Sequence, residues 1–438
     1  MILSCEQNLS LNQFTLADVC SIKHGYAFKG QYFSDSITKE IVLTPGNFNI
    51  GGGFKKDKLK YYDGPIDKNY ILKPYDLIVT MTDLSKNGDT LGFSALIPED
   101  NNIYLHNQRI GLVENINEKI IDKNYLYWLL RNPEYHHYVV SSSTGTTVKH
   151  TSPKTILKYE FELPSIKEQK FIGQILTNIE LKIELNEKIN KNLEQYLIHI
   201  FNENFMEFDF NEFSNSKKQI PASWNLGNFD DIIDSLGSGD WGKEECVGNY
   251  TSEVYCIRGA DIPDVKQGNK GKMPIRFILP KNFKNKKLTK NSIVIEISGG
   301  SPTQSTGRTV YITDDFLNRF DKDMICTNFC KVINPKKDYE IFLYLYLNYL
   351  YDKDVMFAYE NGTTGIKNFD IKSFIKNFLI VIPSSEDIIK FNNLVTDVFD
   401  IVMHNGLEIE KLQQLRDTLL PKLMSGEIDV SDINCDLE

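Results

Sequence analysis

The residues best suited to chemistry in this chain are cations. Lys266 to Lys290, KQGNKGKMPIRFILPKNFKNKKLTK, carries nine Lys or Arg and no acid. Such a cluster suits phosphate contact, where Lys and Arg neutralise a polyanion and release its counterions. Its candidate contacts are Lys270, Lys272, Arg276, Lys284, Lys286 and Lys287. A weaker strip, Lys55, Lys56, Lys58 and Lys60, follows Gly51-Gly52-Gly53. Base edges are read by amides, hydroxyls and cations on exposed loops. Lys86 and Asn87 in one polar loop, and Gln304 and Arg308 in another, have that character. A third loop occurs twice, as GTTVK with Thr146 and Lys149 and as GTTGIK with Thr363 and Lys367. Its Gly permits close backbone approach. Because both copies share it, it suits backbone positioning better than base reading. The net charge of −10 hides these basic stretches, since acids gather elsewhere, including Glu427, Asp429, Asp432, Asp436 and Glu438.

Catalytic patterns are lacking. Gly51-Gly52-Gly53 has neither the spacing nor the following helix of a nucleotide-binding loop, and no Asn/Asp-Pro-Pro-aromatic motif is present. Cys326 and Cys330 have no second Cys or His pair at zinc-finger spacing and are read as packed on a strand. His136-His137 follows a helix with no carboxylate motif beside it and is read as a surface pair. No catalytic residue, metal site or cofactor is assigned.

These stretches sit in a duplicated scaffold. LKPYDLIVTMT at Leu72 to Thr82 matches LTKNSIVIEIS at Leu288 to Ser298, and YLYWLL at Tyr125 to Leu130 matches FLYLYL at Phe342 to Leu347. Each copy ends in strand-Pro-Ser and feeds a long helix. On the first helix Ile172, Leu176, Ile179, Ile183, Asn186, Asn190, Leu193, Leu197 and Ile200 form a heptad seam. Adding 219 to each number gives Phe391, Val395, Val398, Val402, Asn405, Ile409, Leu412, Arg416 and Leu419, again a seam with Asn in the middle. A period near 215 residues means two homologous domains, not a solenoid. The middle thirds differ most, which suggests related jobs on different targets.

LPSIKEQKFIGQIL at Leu163 to Leu176 and LQQLRDTLLPKLMSGEIDV at Leu412 to Val430 resemble the specificity subunits of type I restriction–modification enzymes, and the resemblance covers essentially the whole length. One departure is IPSSEDIIKFNNL in the second copy, where the family usually has Pro-x-x-x-Glu-Gln, so Glu168-Gln169 has no Gln counterpart near Glu386. The resemblance implies an α+β fold, with two tandem mixed α/β target recognition domains and an antiparallel, pseudo-two-fold coiled coil as spacer. The corresponding boundaries are 1–163 and 206–382 for the domains, 164–205 and 383–424 for the helices, and 425–438 for an acidic tail. It implies a non-catalytic subunit reading a bipartite site in double-stranded DNA. Two adenine-N6 methyltransferase subunits would dock on it, and motor-nuclease subunits would join for cleavage.

A helix of about 40 residues spans roughly 60 Å, the length of some 17 to 18 base pairs. Two side by side could hold reading domains one or more DNA turns apart. In an antiparallel pair the middle of one seam faces the middle of the other, which predicts Asn186 beside Asn405. A buried Asn pair penalises slipped registers, and register would set the half-site gap. The seams are expected to cover each other; the alternative is that each helix packs on its own domain. A functional alternative is a protein-binding scaffold without direct DNA readout, supported by the acidic balance. Salt-dependent DNA binding separates the two. The odd count of seven Cys, without regular spacing, suits a reducing cytoplasm. The N-terminus has no secretory pattern and no apolar run is long enough for a membrane span.

Overall fold

A computed structural model describes residues 13–208, 219–301, 303–362 and 367–431. It divides into two compact units, Met1–Leu181 with Gln413–Glu438, and Lys182–Leu412. The two long helices, Ile166–Phe205 and Ser385–Met424, each contribute to both.

In the first unit an antiparallel sheet has the order Ser21–His24, Ile110–Glu114, Leu77–Thr80, Ser94–Leu96. Side chains alternate across a strand, and here the alternation divides two cores. Leu77 and Val79 enter one with Trp128 and Leu176, while Ile78 enters another with Ile41 and Tyr104. That explains why Leu77–Thr80 is buried on both faces. A second sheet holds Phe33–Ser34, Tyr61–Tyr62, Glu40–Val42 and Ile103–Leu105. A two-stranded ladder joins Thr82–Asp83 to Lys149–His150.

The second unit repeats the plan. Its main sheet runs Ile233–Ser238, Cys330–Pro335, Ile293–Glu296, Thr309–Tyr311, again antiparallel. Ile293 and Ile295 enter one core and Val294 another. A smaller sheet holds Ile275–Ile278, Ser252–Ile257 and Met324–Cys326. Its ladder sets Lys367–Phe369 between Ser298–Gly299 and Glu360–Asn361. The basic run begins at the end of the helix Ile262–Lys266 and includes the strand Ile275–Ile278 and the helix Pro280–Lys286.

The long helices pack antiparallel in each unit. In the first, Ile172 and Leu176 share a core with Leu420 and Leu423 and with Tyr125, Trp128 and Leu129 of the helix Lys123–Leu129. In the second, Leu197, Phe201 and Phe205 meet Phe391 and Val395 over Phe342 and Tyr346 of the helix Glu340–Asp352. Phe205 and Phe391 stand edge to face, centroids 4.8 Å apart. Each seam is therefore covered from two sides, by the other helix and by a globular core. The expected packing of one long helix on the other is present, and the alternative, packing of each helix on a globular core, holds beside it. Large aromatics at the helix ends fill a three-helix junction, where a two-helix seam has no room for them.

The first long helix is fastened at its start. Glu168 Oε2 accepts a 2.7 Å bond from the Ser165 amide, a capping box. Gln169, 1% exposed, accepts from the Asp122 amide at 2.8 Å and donates to the carbonyls of Pro164 (2.9 Å) and Ile120 (3.1 Å). One turn on, a Cβ on Gly173 would meet the Tyr125 amide nitrogen at 2.9 Å, so only Gly permits this approach. The second long helix starts differently. Asp387 accepts from Ser384 Oγ at 2.6 Å and from the Trp224 indole at 2.8 Å.

Candidate nucleic-acid interface and the helix pair

The polar groups within the helix pair form two clusters. In the second unit Asn405 Nδ2 donates to Asn190 Oδ1 at 2.8 Å, and Asn190 Nδ2 donates to the carbonyls of Gln267 (2.9 Å) and Val402 (3.2 Å). Asn186 instead donates to Glu408 Oε2 at 2.7 Å, and Lys182 ion-pairs with the same carboxylate at 3.2 Å. The sequence placed Asn186 opposite Asn405; the direct partner is Asn190, four residues and about one helical turn away. The reason lies outside the seam. Gly268 packs against Val402 and Gly406, and this intruding loop needs the Asn190 amide to satisfy Gln267. A heptad pattern contains no information about that loop.

In the first unit Glu180 bridges two arginines. Arg416 Nη1 donates to Oε2 at 2.7 Å, and Arg131 Nη2 donates to Oε1 at 3.3 Å. Arg131 stacks on Trp128, 4.2 Å from the ring centroid, and donates to the Gly51 carbonyl at 2.8 Å. Burial alone would raise the Glu180 carboxyl, but the Arg131 and Arg416 charges overcome it and hold it below the usual range. Arg416 occupies a seam position and is bonded there to Glu180.

The candidate DNA contacts divide by what their side chains already touch. Lys56 pairs with Asp100 at 2.8 Å and Lys55 with Asp57 at 3.3 Å. Lys58, Lys60, Lys86, Asn87, Thr146 and Lys284 are exposed, and Lys149 is half-buried. Strand pairing sets Lys149 opposite Asp83, and a Cβ on Gly88 would lie 3.6 Å from its Cδ. The loops bearing Lys86-Asn87 and Thr146-Lys149 are thus brought together. In the second unit exposed Gln304 donates to the Tyr351 hydroxyl at 3.3 Å. Lys367 pairs with Glu360 at 2.8 Å and lies over the Phe357 ring. Thr363 lies outside the described residues.

Much of the basic run is occupied internally. Arg276 is 5% exposed, stacked 4.1 Å from the Trp241 ring centroid and bonded to Glu244 at 3.0 Å. Arg308 forms a two-pronged pair with Glu296, at 2.6 and 2.8 Å. Lys286 donates to the Gly239 carbonyl at 2.7 Å, and Lys287 pairs with Asp323 at 2.6 Å. Lys270 has its backbone amide on Glu410 and its ammonium over the Phe320 ring. Lys272 is exposed, but its amide and carbonyl hold Asp261 and Arg258. The run is free of acids along the chain; folding supplies acids from elsewhere.

Among the described residues no group of three or more His, Cys, Asp or Glu could hold a metal. Cys326 and Cys330 are fully buried in an apolar core. His136 is half-buried and stacks on Phe93, centroids 4.1 Å apart, while His137 is exposed. No helix among the described residues is long and apolar enough to cross a membrane.

Each unit is an α+β domain that packs on segments of both long helices. The description "Type I restriction modification DNA specificity domain" matches residues 10–195 and again 222–416. The chain belongs to that family. It is 27% identical over 360 residues to the MjaIX specificity subunit of Methanocaldococcus jannaschii, covering 78% of this chain and 73% of that protein. It is 23% identical to the EcoBI specificity subunit of Escherichia coli, covering 95% and 86%. Its fold is that of a type I restriction–modification S subunit from M. genitalium, with a TM-score of 0.57 at 15% identity, covering 96% and 98%.

Proposed function

We propose that this chain is the DNA-reading subunit of a type I restriction–modification system and runs no reaction itself. Residues 1–163 and 206–382 are two target recognition domains, each reading one half of a bipartite site. The helices at 164–205 and 383–424 fix the gap and dock two adenine-N6 methyltransferase subunits, with motor-nuclease subunits joining for cleavage. The complex works in the cytoplasm, where the DNA is.

The observation that carries this reading is the repeated strand order in two units whose variable loops differ, each built on the same helix pair. Docking is supported by apolar side chains left exposed along the helices: Leu181, Leu185, Leu394, Ile401 and Leu415. Base and phosphate contact falls to the exposed set Lys58, Lys60, Lys86, Asn87, Thr146, Lys284 and Gln304, joined by Lys149.

Methylome sequencing of a host carrying this chain with its neighbouring methyltransferase tests the reading. One bipartite motif with modified adenine on each strand and a fixed gap is the expected result. A soluble complex that adds no methylation would overturn it in favour of a protein-binding scaffold.

A further inference from the structure

The loop Lys266 to Lys270 opens the most basic stretch of the chain, yet it is turned toward the helices. Lys266 Nζ reaches Glu194 Oε1 at 2.7 Å, and Gln267 Nε2 donates to Glu194 Oε2 at 2.8 Å, both on the first long helix. Asn190 on that helix holds the Gln267 carbonyl. The other long helix is gripped as firmly. A Cβ on Gly406 would lie 2.0 Å from the Gly268 carbonyl oxygen, and one on Gly268 would lie 2.3 Å from that of Val402. Gly268 has φ +81°, so it needs Gly for backbone freedom as well. The Lys270 amide donates to Glu410 at 2.8 Å; Arg319 pairs with Glu410 at 2.8 Å and donates to the Gly268 carbonyl.

We infer that residues 266–270 are a cross-brace that locks the second recognition domain onto both spacer helices and fixes their register, making Gly268, Gly406 and Asn190 positioning residues for the half-site gap. This rests on the function proposed above. Lys266 and Gln267 bond to the first long helix and Lys270 bonds to the second, so neither helix slides without breaking one set of contacts. The two glycines set the contact distance: any side chain there separates loop from helix. Lys266 accordingly acts on Glu194 and not on a phosphate.

The test uses the complex with the neighbouring methyltransferase and a DNA library holding both half-sites at a series of gaps. Gly406→Ala is expected to keep both half-site sequences but lose its preference for the native gap over the flanking ones. Lys266→Gln is expected to leave the salt dependence of DNA binding unchanged, whereas loss of one phosphate contact lowers the slope by about 1. A folded Gly406→Ala complex with an unaltered gap profile, or a Lys266→Gln slope reduced by about 1, overturns the brace. If Gly406→Ala does not fold, Asn405→Ala replaces it with the same expectation. A wild-type complex that methylates no gapped substrate defeats the functional reading alone. The brace is then judged by amide exchange at residues 266–270, which Gly406→Ala must accelerate.

Discussion

Arg416, late in the second long helix, donates to Glu180 on the first at 2.7 Å, and the other Glu180 oxygen receives Arg131. The carboxylate is thus the shared anion of two cations, with its side chain 18% exposed. Removing one partner from a buried ionic cluster leaves the rest uncompensated. Glu180→Ala is expected to destabilise the first unit by about 2–4 kcal/mol. Denaturation followed by Trp128 fluorescence, in a background with Trp224 and Trp241 replaced by Phe, measures this. The Glu180 carboxyl is held below its ordinary value, so its stabilisation is present at neutral pH and lost as pH falls through the lowered value.

His106 adds an earlier acid response. It is fully buried, and Nε2 lies 2.8 Å from the Ile110 carbonyl oxygen. Burial pulls the imidazole down to about 4. The unfolded chain therefore binds this proton first, and stability falls as pH drops from about 6.5 toward about 4. The loss approaches about 3 kcal/mol below that window. Equilibrium denaturation at pH 7 and at pH 4.5 should show this loss in the wild type and a smaller one in His106→Gln.

The Asn190–Asn405 bond predicts non-additivity. Asn405→Leu leaves Asn190 Oδ1 without its donor, at a cost of about 1–3 kcal/mol. Asn190→Leu costs more, since Gln267 and Val402 lose their donor as well. The double variant is expected to fall short of the sum by about 1 kcal/mol. A double-mutant cycle by urea denaturation reads the difference. A cycle on Asn186 and Asn405 is expected to show smaller coupling, because Asn186 is bonded to Glu408.

Salt titration separates the two kinds of cation. Lys58→Ala, Lys86→Ala and Lys284→Ala should each weaken DNA binding and lower the log–log slope by about 1. Arg276→Ala and Arg308→Ala should leave the slope unchanged and cost stability, since both arginines are spent on Glu244 and Glu296. Binding measured from low to moderate salt tests all five variants.

The duplication and the long helices were legible because each rests on a repeating local pattern, and the α+β class followed from the family resemblance. Leu77 to Thr80 and Ile293 to Glu296 read as strands from their apolar runs, and the helices from their heptads. The pairing of Asn405 was not legible, because register is decided by a loop 77 residues from Asn190. Gln169 showed a family motif but not its task, which is to bond the Asp122 amide 47 residues away. The ion pairs of the basic run were not legible for the same reason. A count of charges along the chain does not see Glu194, Glu244 or Asp323, which folding brings to it.

The first unit draws its core from both ends of the sequence, with Leu420, Leu423 and Val430 packed beside Trp128 and Ile172. Synthesis delivers those residues only after the second unit. At about 5–20 residues per second, the ribosome spends roughly 10–50 s on the intervening second unit after the first has emerged. Throughout that interval the nascent first domain presents an open apolar face. That face closes only when the final turns of the second long helix arrive. A stop codon near Leu412 would spare every residue of the second unit and yet leave the first one unfinished.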